Sequence, residues 1–415
     1  MTLDVFFNPK TIAVIGVSSN PQKIGRVVFD TLLAARKKVY PINPNAQLIS
    51  GVKCYPSIAE VGKVDLVIVA VPVPETLKVM EEVGKAGIKH AVIITAGFKE
   101  VGNIEADKQL SAICAKYNIN VIGPNCLGIL DTYSGVDAVF LPPARLKRPK
   151  QGGISFLTQS GATGSVILDR IGALGVSKFI SYGNALNLNE CDYLEYLGTD
   201  RTTKIICIYI EGVKDGKRFL KVCSKIKKPI VVLKGGKTKE GSKATLSHTG
   251  SLAGDAVIYS GVFKQLGMIE VNGIEQIIDV LEIVNAGIKG KTIGIITNGG
   301  GYGILSVDDL VAAGLDFRGP VVDLLGDATS EGYRKAIANM KTDIILCNVL
   351  FQTPLIDETI TDVLVQASKK KNIVVVSTGS AYTSAMKQKL TEQGVCVIDT
   401  PEEAVDALKS VLKNE

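Results

Sequence analysis

Short aliphatic runs alternate with amphipathic stretches along the whole chain. Residues 11–15, 39–42, 66–71, 90–94 and 121–122 read as buried parallel strands, which are continuously apolar rather than alternating. Between them, residues 25–35, 75–86 and 106–117 place apolar side chains at helical spacing. This repeated βαβ pattern predicts a doubly wound parallel sheet. Residues 141–153, rich in Pro, Gly and basic side chains, read as a linker, with the run Arg145 to Lys150 as a solvated stretch. A second strand series follows at 154–157, 178–181, 205–210 and 230–233. The glycine- and lysine-bearing stretch 287–291 precedes a third at 292–297, 344–350, 373–377 and 395–398. The predicted fold class is therefore α/β, with three consecutive doubly wound domains at 1–145, 146–288 and 289–415.

Composition narrows the function classes. Of the 415 residues, 46% are hydrophobic and 21% charged, which supports buried cores rather than disorder. No apolar run reaches the roughly 18 residues of a membrane span. The opening Met1-Thr2-Leu3-Asp4-Val5-Phe6-Phe7 has no basic segment and no cleavage site, so a cytoplasmic chain is expected, with no membrane partner. The eight cysteines form no CxxC pair, which argues against zinc or redox chemistry; no metal site is expected. The net charge of +6 is spread along the chain, which argues against nucleic acid and suits a polyanionic small molecule.

The first strand ends in Gly16-Val17-Ser18-Ser19, with Lys23 and Gly25 opening a helix. A tight glycine turn before a helix N-terminus offers backbone N–H groups and a partial positive charge to phosphate. The spacing is not GxGxxG, and the second strand ends in Pro41-Ile42-Asn43-Pro44 without the acidic residue that holds a ribose 2′-OH. These departures argue against a dinucleotide-dependent dehydrogenase and leave a nucleotide-like ligand.

Phe7-Asn8-Pro9-Lys10-Thr11-Ile12-Ala13-Val14-Ile15-Gly16-Val17-Ser18 resembles the opening of the ADP-forming acyl-CoA synthetases, of the succinyl-CoA synthetase superfamily. Val71-Pro72-Val73-Pro74, Thr95-Ala96-Gly97-Phe98 and Gly123-Pro124-Asn125-Cys126-Leu127-Gly128 resemble that family's next three loops, in order. The resemblance implies a CoA-binding Rossmann-like domain followed by two flavodoxin-like domains. It implies that Gly16, Val17, Ser18, Ser19 and Lys23 face the CoA phosphates, with Asn43 counted beside them. Val71, Pro72 and Val73 would line the adenine side. Thr95, Ala96, Gly97, Asn125 and Cys126 would flank the pantetheine arm. Cys126 reads as a small loop residue rather than a nucleophile, because CoA brings its own thiol.

The chain has two histidines. His90 opens a strand and reads as structural. His248 lies in Lys243-Ala244-Thr245-Leu246-Ser247-His248-Thr249-Gly250-Ser251, a small, hydroxyl-rich, glycine-flanked stretch. On the residues alone it reads equally as a structural loop histidine or as a nucleophile. The segment resembles the phosphohistidine loop of the same family, which implies the nucleophile. Neutral imidazole attacks phosphorus without a strong base near pH 7. A phosphohistidine needs a carboxylate to set its tautomer and donors for its oxygens. Glu211, at the end of an apolar strand, takes the first role by resemblance; Gln159, Ser160, Gly161 and Ala162 take the second. Gly183 and Asn184 would approach the acyl group.

The implied reaction converts acyl-CoA, phosphate and ADP into a carboxylic acid, CoA and ATP, reversibly, through acyl phosphate and phosphohistidine. Acetate is the default acid. Thr297-Asn298-Gly299-Gly300-Gly301-Tyr302-Gly303 lacks the Lys-[Ser/Thr] ending of a P-loop, and nothing resembles an ATP-grasp site. ADP or ATP with Mg²⁺ is therefore expected on an ATP-grasp β subunit, in an α2β2 assembly. In the third domain the segment around Gly319-Pro320 is shorter than the family's, and an assembly role is expected there. One rival is a succinyl-CoA synthetase α subunit, which ends after its second domain. The other is a CoA- or acyl-CoA-sensing protein without ligase activity.

Overall fold

The computed structural model describes residues 3–243 and 255–412. Contact density divides the chain into two units, residues 1–266 and 267–415.

The first unit opens with β1 (Ile12–Ile15), β2 (Val39–Ile42) and a short hairpin of β3 (Leu48–Ile49) and β4 (Val52–Lys53). β5 (Leu66–Val69), β6 (His90–Ile93) and β7 (Asn120–Ile122) complete a parallel sheet in the order β2-β1-β5-β6-β7. β1 and β5 are buried at every position, as strands covered on both faces must be. The third predicted strand ends at Val69, and the next helix is Val73–Lys85 with Pro72 as its N-cap. Val73 and Pro74 are thus helical, which corrects their reading as loop. A proline in the first turn lacks only an N–H that would have had no intrahelical partner.

The chain then leaves the first sheet. β8 (Ile129–Asp131) pairs antiparallel with β11 (Val176–Ser181), and β9 (Val136–Asp137) with β8. β10 (Gln151–Thr158), β12 (Ile205–Ile210) and β13 (Ile230–Lys234) are parallel to β11, in the order β13-β12-β10-β11-β8-β9. In the connecting stretch Arg145, Lys147 and Lys150 are exposed, as expected, but Arg148 is anchored. Arg148 pairs with Asp137 at 2.5 Å and donates to the carbonyls of Leu141 and Leu146, while the Leu146 side chain is buried.

The second unit begins with β14 (Ile269–Val271). It contains a parallel sheet of β15 (Thr292–Thr297), β16 (Asp316–Asp323), β17 (Ile344–Asn348), β18 (Asn372–Val376) and β19 (Cys396–Ile398), in the order β16-β15-β17-β18-β19. The segment around Gly319 and Pro320 forms the edge strand β16, largely exposed, with a register shift against β15 and a cis Gly319–Pro320 bond.

In each of the three larger sheets the strand order reverses, at β1, β10 and β15. Such sheets collect ligands outside the carboxyl ends of the strands on either side of that reversal. In the first unit these points lie between β1 and β5 and between β10 and β12. Among the described residues no helix is long and apolar enough to cross a membrane. Nor does any cluster of His, Cys, Asp and Glu there form a metal site.

Candidate active site

At the first reversal point the β1 turn and the β5 turn touch. Gly16 has φ +93°, and a Cβ there would lie 2.4 Å from the Ala70 carbonyl oxygen. A Cβ on Gly25 would in turn lie 2.3 Å from the Gly16 carbonyl oxygen, so the helix N-terminus is pressed onto the turn. The side chain of Asn43 points into this construction and donates to the Val17 carbonyl at 2.6 Å. Arg26 does similar work from the helix, donating to the carbonyls of Ser18 and Ser19 at 3.3 and 3.1 Å. Val17 is fully buried and can offer a ligand only backbone, whereas Ser19 and Lys23 are exposed.

The next two turns are locked to each other. The Val71 carbonyl accepts from Thr95 at 2.7 Å and from Thr76 at 2.9 Å. Asn125, in a left-handed conformation after the cis Gly123–Pro124 bond, donates its N–H to the Thr95 carbonyl at 2.9 Å. Burial pushes the Cys126 thiol up to about 12, so it is protonated at neutral pH, as a non-nucleophilic loop residue should be. His90 packs edge-on against Phe6, and burial lowers its pKa.

At the second reversal point β10 runs through Gln159 into the helix Gly161–Ile171, with Ser160 as N-cap accepting from Thr163 N–H at 3.3 Å. The first N–H groups of a helix have no intrahelical acceptor and attract anions. The Gln159 side-chain carbonyl accepts from Glu211 N–H at 2.8 Å and from Gly212 N–H at 3.3 Å. Glu211 is buried at 6% exposure; one carboxylate oxygen accepts from the Tyr209 hydroxyl at 3.3 Å. Burial, reinforced by that carboxylate, pushes the Tyr209 phenol up to about 12. The other Glu211 oxygen is buried without a hydrogen-bond partner among the described residues. An unpaired buried acceptor is costly and marks a place where a donor is called for. Lys234 donates to the Glu211 backbone carbonyl at 2.8 Å and lies over the Tyr259 ring. His248 lies outside the described residues.

One cavity of about 590 Å³ joins the two points. Val71, Pro72, Thr95, Ala96, Asn125 and Cys126 line it from the first sheet; Gln159, Ser160, Gly161 and Ala162 line it from the second, with Gly183 and Asn184 between them. Gly183 has φ +51°, and a Cβ there would lie 2.2 Å from the Asn125 carbonyl oxygen, so this loop and the Asn125 loop require each other. Gly16, Val17, Ser18, Ser19, Lys23, Asn43, Val73, Gly97 and Glu211 are not among the lining residues, although Ile24, next to Lys23, is. Phe140 and Leu141 line the cavity as well. Sequence reading placed Leu141 in a linker and passed over Phe140, and no local signal marks either.

The turn in the second unit copies the second reversal point without its acid. Thr297 donates to the Gly299 carbonyl as Thr158 does to Ser160. The Asn298 side-chain oxygen accepts from Leu350 N–H at 2.8 Å, where Gln159 accepts from Glu211. Leucine stands at the acid's position, and the carboxylate near this turn is instead Asp323, whose oxygen would lie 3.1 Å from a Cβ on Gly300.

Comparison with known proteins agrees with this arrangement. The CoA binding domain family matches residues 10–132, and the succinyl-CoA ligase like flavodoxin domain family matches residues 151–284. The α subunit of ADP-forming acetate–CoA ligase II of Pyrococcus furiosus is 35% identical over 450 residues, covering 99% of this chain and 97% of that one. The chain belongs to the ADP-forming acetate–CoA ligase family. Family members differ in how much else they carry. An ADP-forming acetate–CoA ligase of Methanocaldococcus jannaschii is 47% identical over 310 residues, but this chain spans only 43% of its length. In structure the ligase family is represented by a chain of Ca. Korarchaeum cryptofilum, a dinucleotide-forming acetyl-coenzyme A synthetase 1 in complex with phosphate and ADP. It superposes with a TM-score of 0.90 at 32% identity, covering 99% of this chain and 96% of that one.

Proposed function

We propose that this chain is the CoA-binding, phosphohistidine-carrying α subunit of an ADP-forming acyl-CoA ligase, with acetate as its default acid. The observation that carries the reading is the cavity shared by the Val71, Thr95 and Asn125 turns and the Gly161–Ile171 helix N-terminus. The glycine turn at Gly16, closed to any Cβ, fits a backbone-held diphosphate, and the cavity volume suits a pantetheine arm with a small acyl group.

In the reaction, an oxygen of phosphate, held by the N–H groups of Gly161 and Ala162, attacks the thioester carbon. The C–S bond breaks and CoA leaves as thiolate. A ring nitrogen of His248 then attacks phosphorus, the P–O bond to the acyl group breaks, and the carboxylate departs. Glu211 holds the second ring nitrogen, and the phosphoryl group passes finally to ADP. Each step is a single displacement, with charge met by preorganised amides. ADP and Mg²⁺ belong to an ATP-grasp β subunit, in an α2β2 assembly. The copied turn at Asn298, with Leu350 where the first unit has Glu211, fits an assembly role for the second unit.

Arsenolysis tests the thioester step. Arsenate in place of phosphate gives an acyl arsenate that hydrolyses in water, so CoA thiol is released from acetyl-CoA without the partner. Release by this chain supports the reading. CoA binding without release favours the CoA-sensing protein instead.

A further inference from the structure

Between the CoA-side loop and the acyl-side loop stands Glu100, a residue that neither the motifs nor the cavity lining singles out. It belongs to a short 3-10 turn, Lys99–Val101, directly after the Thr95–Phe98 stretch. One carboxylate oxygen accepts from the backbone N–H groups of Gly97 at 2.5 Å and Phe98 at 3.2 Å. The other accepts from the side-chain amide of Asn184 at 2.5 Å. A carboxylate has two oxygens in a fixed plane, and here each is committed to a different domain's loop.

The acyl-side loop needs such a tie. Gly183 and Ala185 both have positive φ, +51° and +53°, and the latter is a non-glycine residue. A left-handed alanine carries strain of about 1–2 kcal/mol, which persists only when surrounding contacts over-determine it. Those contacts come from the CoA domain and from the end of β12. Lys99 donates to the Asn184 carbonyl at 2.6 Å, and Lys214 donates to the Ala185 carbonyl. The Asn184 N–H donates to the Pro124 carbonyl at 2.9 Å, and its side-chain oxygen faces Asn125 at 3.4 Å. Glu100 is the member of this set that touches both loops through one group.

We propose that Glu100 is a positioning residue that couples the CoA loop to the acyl loop, so that occupancy of the first orients Asn184 against the acyl group. The inference rests on the ligase reading above. Burial pushes the Glu100 carboxyl up, but the Gly97 and Asn184 donors outweigh it and hold it below the usual carboxylate range, consistent with an ionised bridge.

Length separates the two roles. Glu100→Asp, one methylene shorter, can reach the Gly97 and Phe98 amides or Asn184, but not both. Glu100→Gln keeps the length, and the Asn184 and Asn125 side-chain amides can turn together so that Asn184 accepts from it and still meets Asn125. The test measures CoA affinity by calorimetry and arsenolysis of acetyl-CoA for the full chain, with melting temperature as the folding control. The expected result for Glu100→Asp is CoA affinity within threefold of the unsubstituted chain and an arsenolysis kcat reduced at least tenfold. Glu100→Gln should recover most of that loss. Equal kcat in Glu100→Asp, or loss of CoA affinity and kcat in proportion to a falling melting temperature, overturns the assignment. Failure of the unsubstituted chain to bind CoA or to release thiol overturns the ligase reading itself, and this inference with it.

Discussion

Gln159 and Glu211, 52 residues apart, are joined by a 2.8 Å hydrogen bond from the Glu211 backbone N–H to the Gln159 side-chain oxygen. The bond crosses the reversal point of the second sheet, between the ends of β10 and β12. It places the carboxylate proposed to orient a histidine beside the helix N-terminus proposed to hold phosphate. Neither strand end can shift without the other.

This pairing makes Gln159 a two-part test. Gln159→Ala strands the N–H groups of Glu211 and Gly212, both buried, and should cost about 1–3 kcal/mol, read as a lower urea midpoint. Gln159→Glu keeps an acceptor and should recover much of that stability, yet it sets a second negative charge beside the phosphate. Its arsenolysis should therefore stay at least tenfold down. Recovery of both properties together would show that Gln159 has no part in handling phosphate.

Gly16 admits no side chain. Gly16→Ala meets the Ala70 carbonyl and a left-handed backbone together, so a loss of roughly 2–4 kcal/mol is expected, along with CoA affinity. Gly51, also at positive φ but with open space around its Cβ, is the control: Gly51→Ala should leave CoA affinity unchanged. Equal effects at the two positions would show that strain alone, and not the close approach at the β1 turn, governs binding.

Strands were legible because buried parallel strands are written as apolar runs, and the cysteines within them read correctly as core residues; all eight are free and buried. Helix starts were less legible. Val73 and Pro74 read as loop by resemblance, but Pro74 falls in the first turn, which tolerates it, while Pro72 precedes the helix as its N-cap. In the basic run at 145–150 the solvated reading held for Arg145, Lys147 and Lys150 but not for Arg148, which finds its acid and its carbonyls only after β8 and β9 join the second sheet. Motifs brought three of the four first-domain loops, at Val71, Thr95 and Asn125, and the Gln159–Ala162 turn to one cavity, while the Gly16–Ser19 turn lies outside its lining. The Glu100–Asn184 bridge spans 84 residues and two sheets, and no local pattern carries such a contact.

Alkaline pH should weaken the fold. Burial pushes the thiols of Cys114, Cys126, Cys191, Cys223 and Cys347 up to about 12. In the unfolded chain a thiol ionises near pH ~8.5. Below that value both states hold the proton and the contribution to stability is complete. As pH climbs from about 9 towards 12 the unfolded chain loses protons that the folded one keeps, so stability falls. Melting temperature should be level between about pH 6.5 and 8 and drop above 9. Thiol reagents at pH 8 should find the cysteines only after denaturant is added. Fast reaction in the native state would contradict this burial.

The central claim is that the chain carries a phosphoryl group on His248 with the help of Glu211. The most direct measurement is intact mass after incubation with acetyl-CoA, phosphate and Mg²⁺, repeated with an ATP-grasp partner and ATP. It is run on the unsubstituted chain, His248→Ala and Glu211→Gln. The account predicts an acid-labile gain of one phosphoryl group on the unsubstituted chain, none on His248→Ala, and a strongly reduced gain on Glu211→Gln. No gain on the unsubstituted chain under either condition, with CoA still bound, or an equal gain on His248→Ala, would contradict it.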